Sequence, residues 1–191
     1  MRDFFSKYSY SIIKMFVNQF AISLFGSVLA MATASAGNDK LTFVVSCFAI
    51  LFYLFLIYTM TWEIGAKDKI SVDVGKKEYR PMTGLLMSLI ANIPNFIIAF
   101  LFAISYPFMG TARWAGTMAA FSKIASVIIE GMYLGVISTV QLAGTYMNNI
   151  WWTYLLITVP ALITSFLAYY LGHKNFRFLA FFARKKDEIE K

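Results

Sequence analysis

Residues 124–142 read IASVIIEGMYLGVISTVQL. This apolar run is long enough to cross a bilayer, yet it carries a carboxylate, Glu130, near its centre. A spanning helix needs about 20 apolar residues for a hydrocarbon core of about 30 Å. A charged side chain at mid-depth costs at least about 2.5 kcal/mol unless it is paired, neutralised or hydrated. On a helix advancing about 100° per residue, Lys123, Ser126, Glu130, Tyr133 and Gln141 fall within about 80° of one another, which predicts a polar stripe. Gly131 and Gly135 form a GxxxG on another side, a spacing that lets a second helix approach closely. Glu130 is either a packing residue bonded to Lys123, Tyr133 or a neighbouring helix, or a carboxylate facing a hydrated cavity and binding a cation, proton or polar substrate.

The rest of the chain sets the frame for this stretch. With 59% hydrophobic and 14% charged residues, against about a quarter charged in soluble domains, lipid is the implied solvent. The expected fold is an all-α integral membrane protein, a compact bundle of four or five transmembrane helices over residues 15–36, 41–62, 82–108, 124–142 and 151–171, with amphipathic terminal segments. Residues 1–14 are expected to lie in the headgroup region before the first span. Residues 34–36, Ala-Ser-Ala, resemble a signal-peptide cleavage site, but Asn18, Gln19 and the late Lys14 favour a retained helix. Residues 63–81 read as a polar cytoplasmic loop, with a short strand through Ile70, Val72 and Val74 as the alternative. Pro94, flanked by Asn92 and Asn95, predicts a kink in the third span. The tail, residues 172–191, reads as a basic amphipathic cytoplasmic segment.

Charged flanks make residues 124–142 the deciding element. Lys plus Arg number 3 before the first span, 1 in the first connector, 5 in residues 63–81, 2 after residue 108, 0 after residue 142 and 6 in the tail. If all five stretches cross, the two sides receive 8 and 9, and the positive-inside rule gives no orientation. If residues 124–142 are re-entrant, the sides receive 14 and 3, with both termini cytoplasmic. Leaving out the first stretch instead gives 12 and 5. A plain five-helix bundle and a bundle with a hidden sixth crossing are also compatible with the apolar stretches.

Further polar positions cluster by phase. Gly84, Ser88, Asn92, Asn95 and Ala99 share one face of the third span, which should turn inward because asparagines in lipid need partners. They either pin a neighbouring helix or, with the proline-freed backbone, line a substrate site. Gln19, Ser23, Gly26, Ala30 and Ala34 form a small-residue stripe suited to close helix packing. Phe52, Tyr53, Phe55 and Tyr58 read as lipid-facing or as a large apolar contact surface.

Several function classes are disfavoured. The net charge of +7 sits in short flanks and offers no face that would track nucleic-acid phosphates. The lone Cys47 and His173 make neither a disulfide nor a zinc site, so no metal and no cofactor are expected. No catalytic motif is present, and the chain is not expected to be an enzyme. Glu63, Asp68, Asp73 and Glu78 alternate with basic residues and read as a solvated face. The expected function is a transporter, or the membrane subunit of a transport complex, with Glu130, Asn92, Asn95 and Tyr133 as binding candidates and Gly131, Gly135, Gly26 and Ala30 as packing residues. The alternative is a structural or accessory protein that binds a partner membrane protein. The expected setting is the bilayer of a bacterial plasma membrane, as a homo-oligomer or beside a partner subunit.

Overall fold

A computed structural model describes residues 2–176. The helices α1 (Arg2–Ser35) and α2 (Asp39–Asp73) form a long antiparallel hairpin. Gly37 adopts the left-handed conformation at the turn, with φ 68°, which glycine reaches without the Cβ penalty. Asn38 caps α2, its side chain accepting from the Leu41 N–H at 3.0 Å. Two boundaries differ from the sequence expectation. Residues 2–14 belong to the continuous α1, since nothing between them and the apolar run breaks a helix. Residues 63–73 extend α2, so only residues 74–82 form the loop expected over residues 63–81. Polarity in residues 63–73 reflects a helix passing beyond its apolar section, not a change of secondary structure.

The third stretch is two helices, α3 (Thr83–Ala91) and α4 (Ile93–Ser105). They are bent by 56° at Asn92, because Pro94 lacks the N–H that would bond the Ile90 carbonyl. After a 3₁₀ turn at Tyr106–Phe108, α5 (Arg113–Glu130) packs back along α4. A second 3₁₀ turn at Gly131–Tyr133 leads into α6 (Leu134–Thr139). A two-residue hairpin follows, β1 (Gln141–Leu142) with β2 (Thr145–Tyr146), turning on Ala143 and Gly144 at φ 50° and 79°. The chain then enters α7 (Thr153–Leu156) and α8 (Val159–His173). The expected tail begins inside this last helix, and its residues 177–191 lie outside the described ones.

The bundle has two ends. At the basal end the start of α1, the end of α2 and the end of α8 meet around Asp68. At the apical end α1 turns into α2, and Thr139 and Val140 lie beside Asp39 and Lys40. By length and apolarity α1, α2, Arg113–Thr139 and Thr153–His173 could each cross a membrane, and the bent α3–α4 pair would make a fifth.

The course of Arg113–Thr139 is not that of a straight span. A straight helix would put residues 123 and 140 about 25 Å apart. Instead the Lys123 ammonium donates to Asn149 Oδ1 at 2.6 Å, and two residues earlier the Met147 N–H donates to the Val140 carbonyl at 3.0 Å. The last residue of α5, Glu130, leaves helical geometry at φ −126° and ψ 21°. Thus α5 descends from the apical side to Glu130, and α6 climbs back to the apical end. The helix starts at Arg113, not Ile124, and Gln141–Leu142 lies in the hairpin, so Gln141 is exposed and off the expected polar stripe.

A chain reversal inside a bundle leaves backbone groups that need partners. Serines and a glutamine from α1 and α2 supply them. In an unbroken helix the Gly131 N–H would bond the Val127 carbonyl. Here Gly131 donates to Ser23 Oγ at 2.5 Å, while Val127 accepts from Ser27 Oγ at 2.7 Å. Gln19 Nε2 donates to the Ile129 carbonyl at 3.3 Å, and the Gly135 N–H donates to Ser46 Oγ at 2.9 Å. The polar stripe of α1 therefore completes the hydrogen bonding of the α5–α6 tip, a role beyond the close packing expected of it. A Cβ at Gly131 would meet Ser23 and Ser27 of α1, one at Gly135 would meet Thr42 and Ser46 of α2, and one at Gly26 would meet the Met132 backbone. The GxxxG is thus approached by two different helices of the same chain. Ala30 is buried beside them, whereas Ala34 is exposed.

Candidate functional site

Two interrupted elements, α5–α6 and α3–α4, meet inside the bundle. Glu130 sits at the tip of α5, Tyr133 in the 3₁₀ turn after it, and Asn92 and Asn95 at the α3–α4 break. All four are buried. Asn92 is fully engaged: its amide donates to the Ser88 carbonyl at 2.8 Å and to Ser88 Oγ at 3.3 Å, and its Oδ1 accepts from Asn95 Nδ2 at 2.8 Å. The chain of bonds stops there. The Asn95 amide also lies close enough to Glu130 to interact with its carboxyl group, but no bond of good geometry forms there: Asn95 Oδ1, both carboxyl oxygens of Glu130 and the Tyr133 hydroxyl are left without a hydrogen-bond partner. Around this point lie Tyr53 of α2 and Tyr154 of α7, both within electrostatic reach of Glu130. Buried polar groups are almost always satisfied in native structures, so a carboxyl group with neither oxygen in a well-formed hydrogen bond stands out among the described residues.

The sequence-derived candidates thus come together in space. Gly84, Ser88, Asn92, Asn95 and Ala99 all face inward. Ser126, one turn above Glu130, is buried, and Lys123, a further turn up, is partly exposed and lies 5.6 Å from the Phe102 ring centroid. Lys123 and Ser126 therefore precede Glu130 at successive turns of α5, between it and the apical surface. Tyr53, read as lipid-facing with its aromatic neighbours, is 2% exposed, while Phe52 and Phe55 do face outward. Its phase explains the difference, since Thr42, Ser46, Ala49, Tyr53, Ile57, Thr61, Gly65 and Asp68 are the buried face of α2.

A second polar cluster went unrecognised in the sequence. Asp68, assigned to a solvated loop, is 2% exposed. Its carboxylate accepts from Tyr8 and from Tyr169 at 2.8 Å, and pairs with Lys77 at 2.6 Å and Lys7 at 2.9 Å. It thereby ties α1, α2, the loop and α8 together at the basal end. Its position three residues after Gly65 on the buried face of α2 was the available signal. Glu63 and Lys67, by contrast, form an exposed pair at 3.8 Å.

Searches against models of protein families, curated proteins and solved structures return no match. Among the described residues no group of three His, Cys, Asp or Glu side chains converges. The central site offers instead one carboxyl group, one amide oxygen and one phenol, an acceptor-rich set that suits a positively charged or proton-donating ligand.

Proposed function

We propose that the protein is a multi-pass membrane protein in which α1, α2, α3–α4 and α7–α8 cross the bilayer while α5–α6 dips in from the apical side and returns. Large apolar side chains point outward along the helices, among them Val28, Phe48, Leu51, Phe55, Ile97, Phe100 and Ile163, as a lipid-facing surface requires. Lys7, Lys67, Lys76, Lys77, Arg80 and Lys174 lie at the basal end, against Lys40, Arg113 and Lys123 toward the apical end. Such a bias assigns the basal end to the cytoplasm. A cysteine placed at Thr145 in a Cys47→Ser background is expected to react with an impermeant maleimide from the same side as one at Asn38, and from the side opposite one at Gly75. Labelling of Thr145→Cys from the Gly75 side would refute this topology.

Within that frame the protein acts as a transporter, or as the membrane subunit of a transport complex, that takes a proton or monovalent cation at Glu130. The observation that carries this reading is the unpaired Glu130 carboxyl group beside the unpaired Asn95 and Tyr133 oxygens. Intramembrane carboxyl groups at broken helices mark ion pathways. Reconstituted vesicles test it. Uptake driven by a gradient of H⁺, Na⁺ or K⁺ is expected for the unmodified chain, to fall to background in Glu130→Gln, and to fall about tenfold or more in Asn95→Ala, as loss of a hydrogen bond to a charged group implies. Equal fluxes in all three proteins would overturn the reading and favour an accessory protein that binds a membrane partner.

A further inference from the structure

A cavity of about 470 Å³ opens at the basal end, directly outside the Asp68 cluster. Its charged lining is Lys7, Lys76, Lys77 and Arg80 against Asp3 and Glu78. Lys7 and Lys77 form the inner wall. Both are held by Asp68, and their ammonium groups lie 5.5 and 4.8 Å from the centroid of the Tyr8 ring. Lys77 is only 18% exposed on its side chain, and burial draws its ammonium below the usual lysine range while Asp68 opposes that shift. These two cations are therefore fixed in place before any ligand arrives, and the single Asp68 charge balances only one of them. Lys76 and Arg80 stand on the outer wall, exposed, with no carboxylate partner among the described residues. Counting Asp68 beneath the wall with the lining leaves one positive charge uncompensated.

We propose that this cavity binds a phosphate group carrying one negative charge, with Arg80 supplying a forked pair of donors and Lys76, Lys77 and Lys7 supplying point charges. Guanidinium groups match phosphate oxygens bidentately, and lysines add charge without fixed geometry. The residual charge fits a phosphodiester better than a doubly charged monoester. Two sources offer that chemistry: the headgroup of an anionic phospholipid, since basic pockets between helices at the cytoplasmic face receive such headgroups, or a phosphate dissolved in the cytoplasm.

The full chain in detergent micelles separates these outcomes. Native mass spectrometry with dioleoyl-phosphatidylglycerol is one arm, with dioleoyl-phosphatidylcholine beside it, and calorimetric titration with inorganic phosphate is the other. The test variant is Lys76→Ala/Arg80→Ala. The charge-matched control is Lys14→Ala/Lys67→Ala, which lines a smaller neighbouring cavity of about 250 Å³. One phosphatidylglycerol is expected to be retained and phosphatidylcholine to be lost. The test variant should weaken retention about tenfold or more and the control less than about twofold, as loss of charge-assisted hydrogen bonds implies. Phosphate binding without phosphatidylglycerol retention, lost in the same test variant, supports the site with a soluble ligand. Equal weakening by both double variants, equal retention of phosphatidylcholine, or binding of neither probe overturns the proposal.

Discussion

Asp68→Ala is expected to lower stability by about 3 kcal/mol, the largest loss among single polar substitutions at the basal end. The reason is the asymmetry of a buried ion pair. Deleting one partner strands the others, which typically costs about 3–5 kcal/mol, and here the partners number four, drawn from α1, the loop and α8. The lower end of that range applies because Lys7 is 44% exposed on its side chain and regains water once Asp68 is gone. Lys77 and the hydroxyls of Tyr8 and Tyr169 have less access to solvent. Lys77→Met should cost less than Asp68→Ala, since the carboxylate keeps its other three donors. Lys67→Ala, in an exposed pair at 3.8 Å, should change stability by no more than about 0.5 kcal/mol. Unfolding midpoints in mixed micelles titrated with sodium dodecyl sulfate measure the series, and an Asp68→Ala midpoint equal to that of Lys67→Ala would remove the buried cluster from the account.

Legibility followed the physics of each signal. Apolar length is a strong signal, and it led to four or five helical elements long and apolar enough to cross a membrane. The Pro94 kink was equally readable, because a missing N–H is a property of one residue. What failed were helix ends: the start of α1, the end of α2 and both bounds of the stretch read as residues 124–142. Helix ends are set by breakers and caps as much as by hydrophobicity, and α2 runs through Gly65, which packs closely on the Tyr169 backbone, to end just before Gly75 at φ 72°. Reading polarity as loop also hid Asp68, although its spacing from Thr61 and Gly65 continues the buried face of α2. The four central polar residues are all buried. Glu130, Asn92, Asn95 and Tyr133 stood out because a polar group in a long apolar run has no local explanation. Their meeting point was not readable, because it depends on the reversal at Glu130 and on the serines of α1 that complete its backbone. Ser23 and Ser27 look like packing residues in a one-helix view. Only the position of α5 against α1 makes them hydrogen-bond partners of Val127 and Gly131.

Glu130→Met is expected to raise stability by about 1–3 kcal/mol while abolishing any proton or cation flux. An unsatisfied buried polar group costs about 1–3 kcal/mol, and replacing it with an apolar side chain of similar length removes that cost without opening a cavity. Methionine suits the place because its flexible thioether fills irregular space, and Met87 and Met132 are themselves fully buried in the same core. Asn92→Ala should move the other way, by about 1–3 kcal/mol, since Asn92 has its amide and its carbonyl oxygen bonded within α3 and α4. The opposite signs are the diagnostic. A residue kept for the fold stabilises it, whereas one kept for a ligand costs stability when the ligand is away. Parallel unfolding midpoints for the two variants, read with the vesicle fluxes, decide between these roles. If Glu130→Met were destabilising to the same degree as Asn92→Ala, the carboxyl group would have to be holding the α5 tip against α4, and the central site would lose its claim to a ligand.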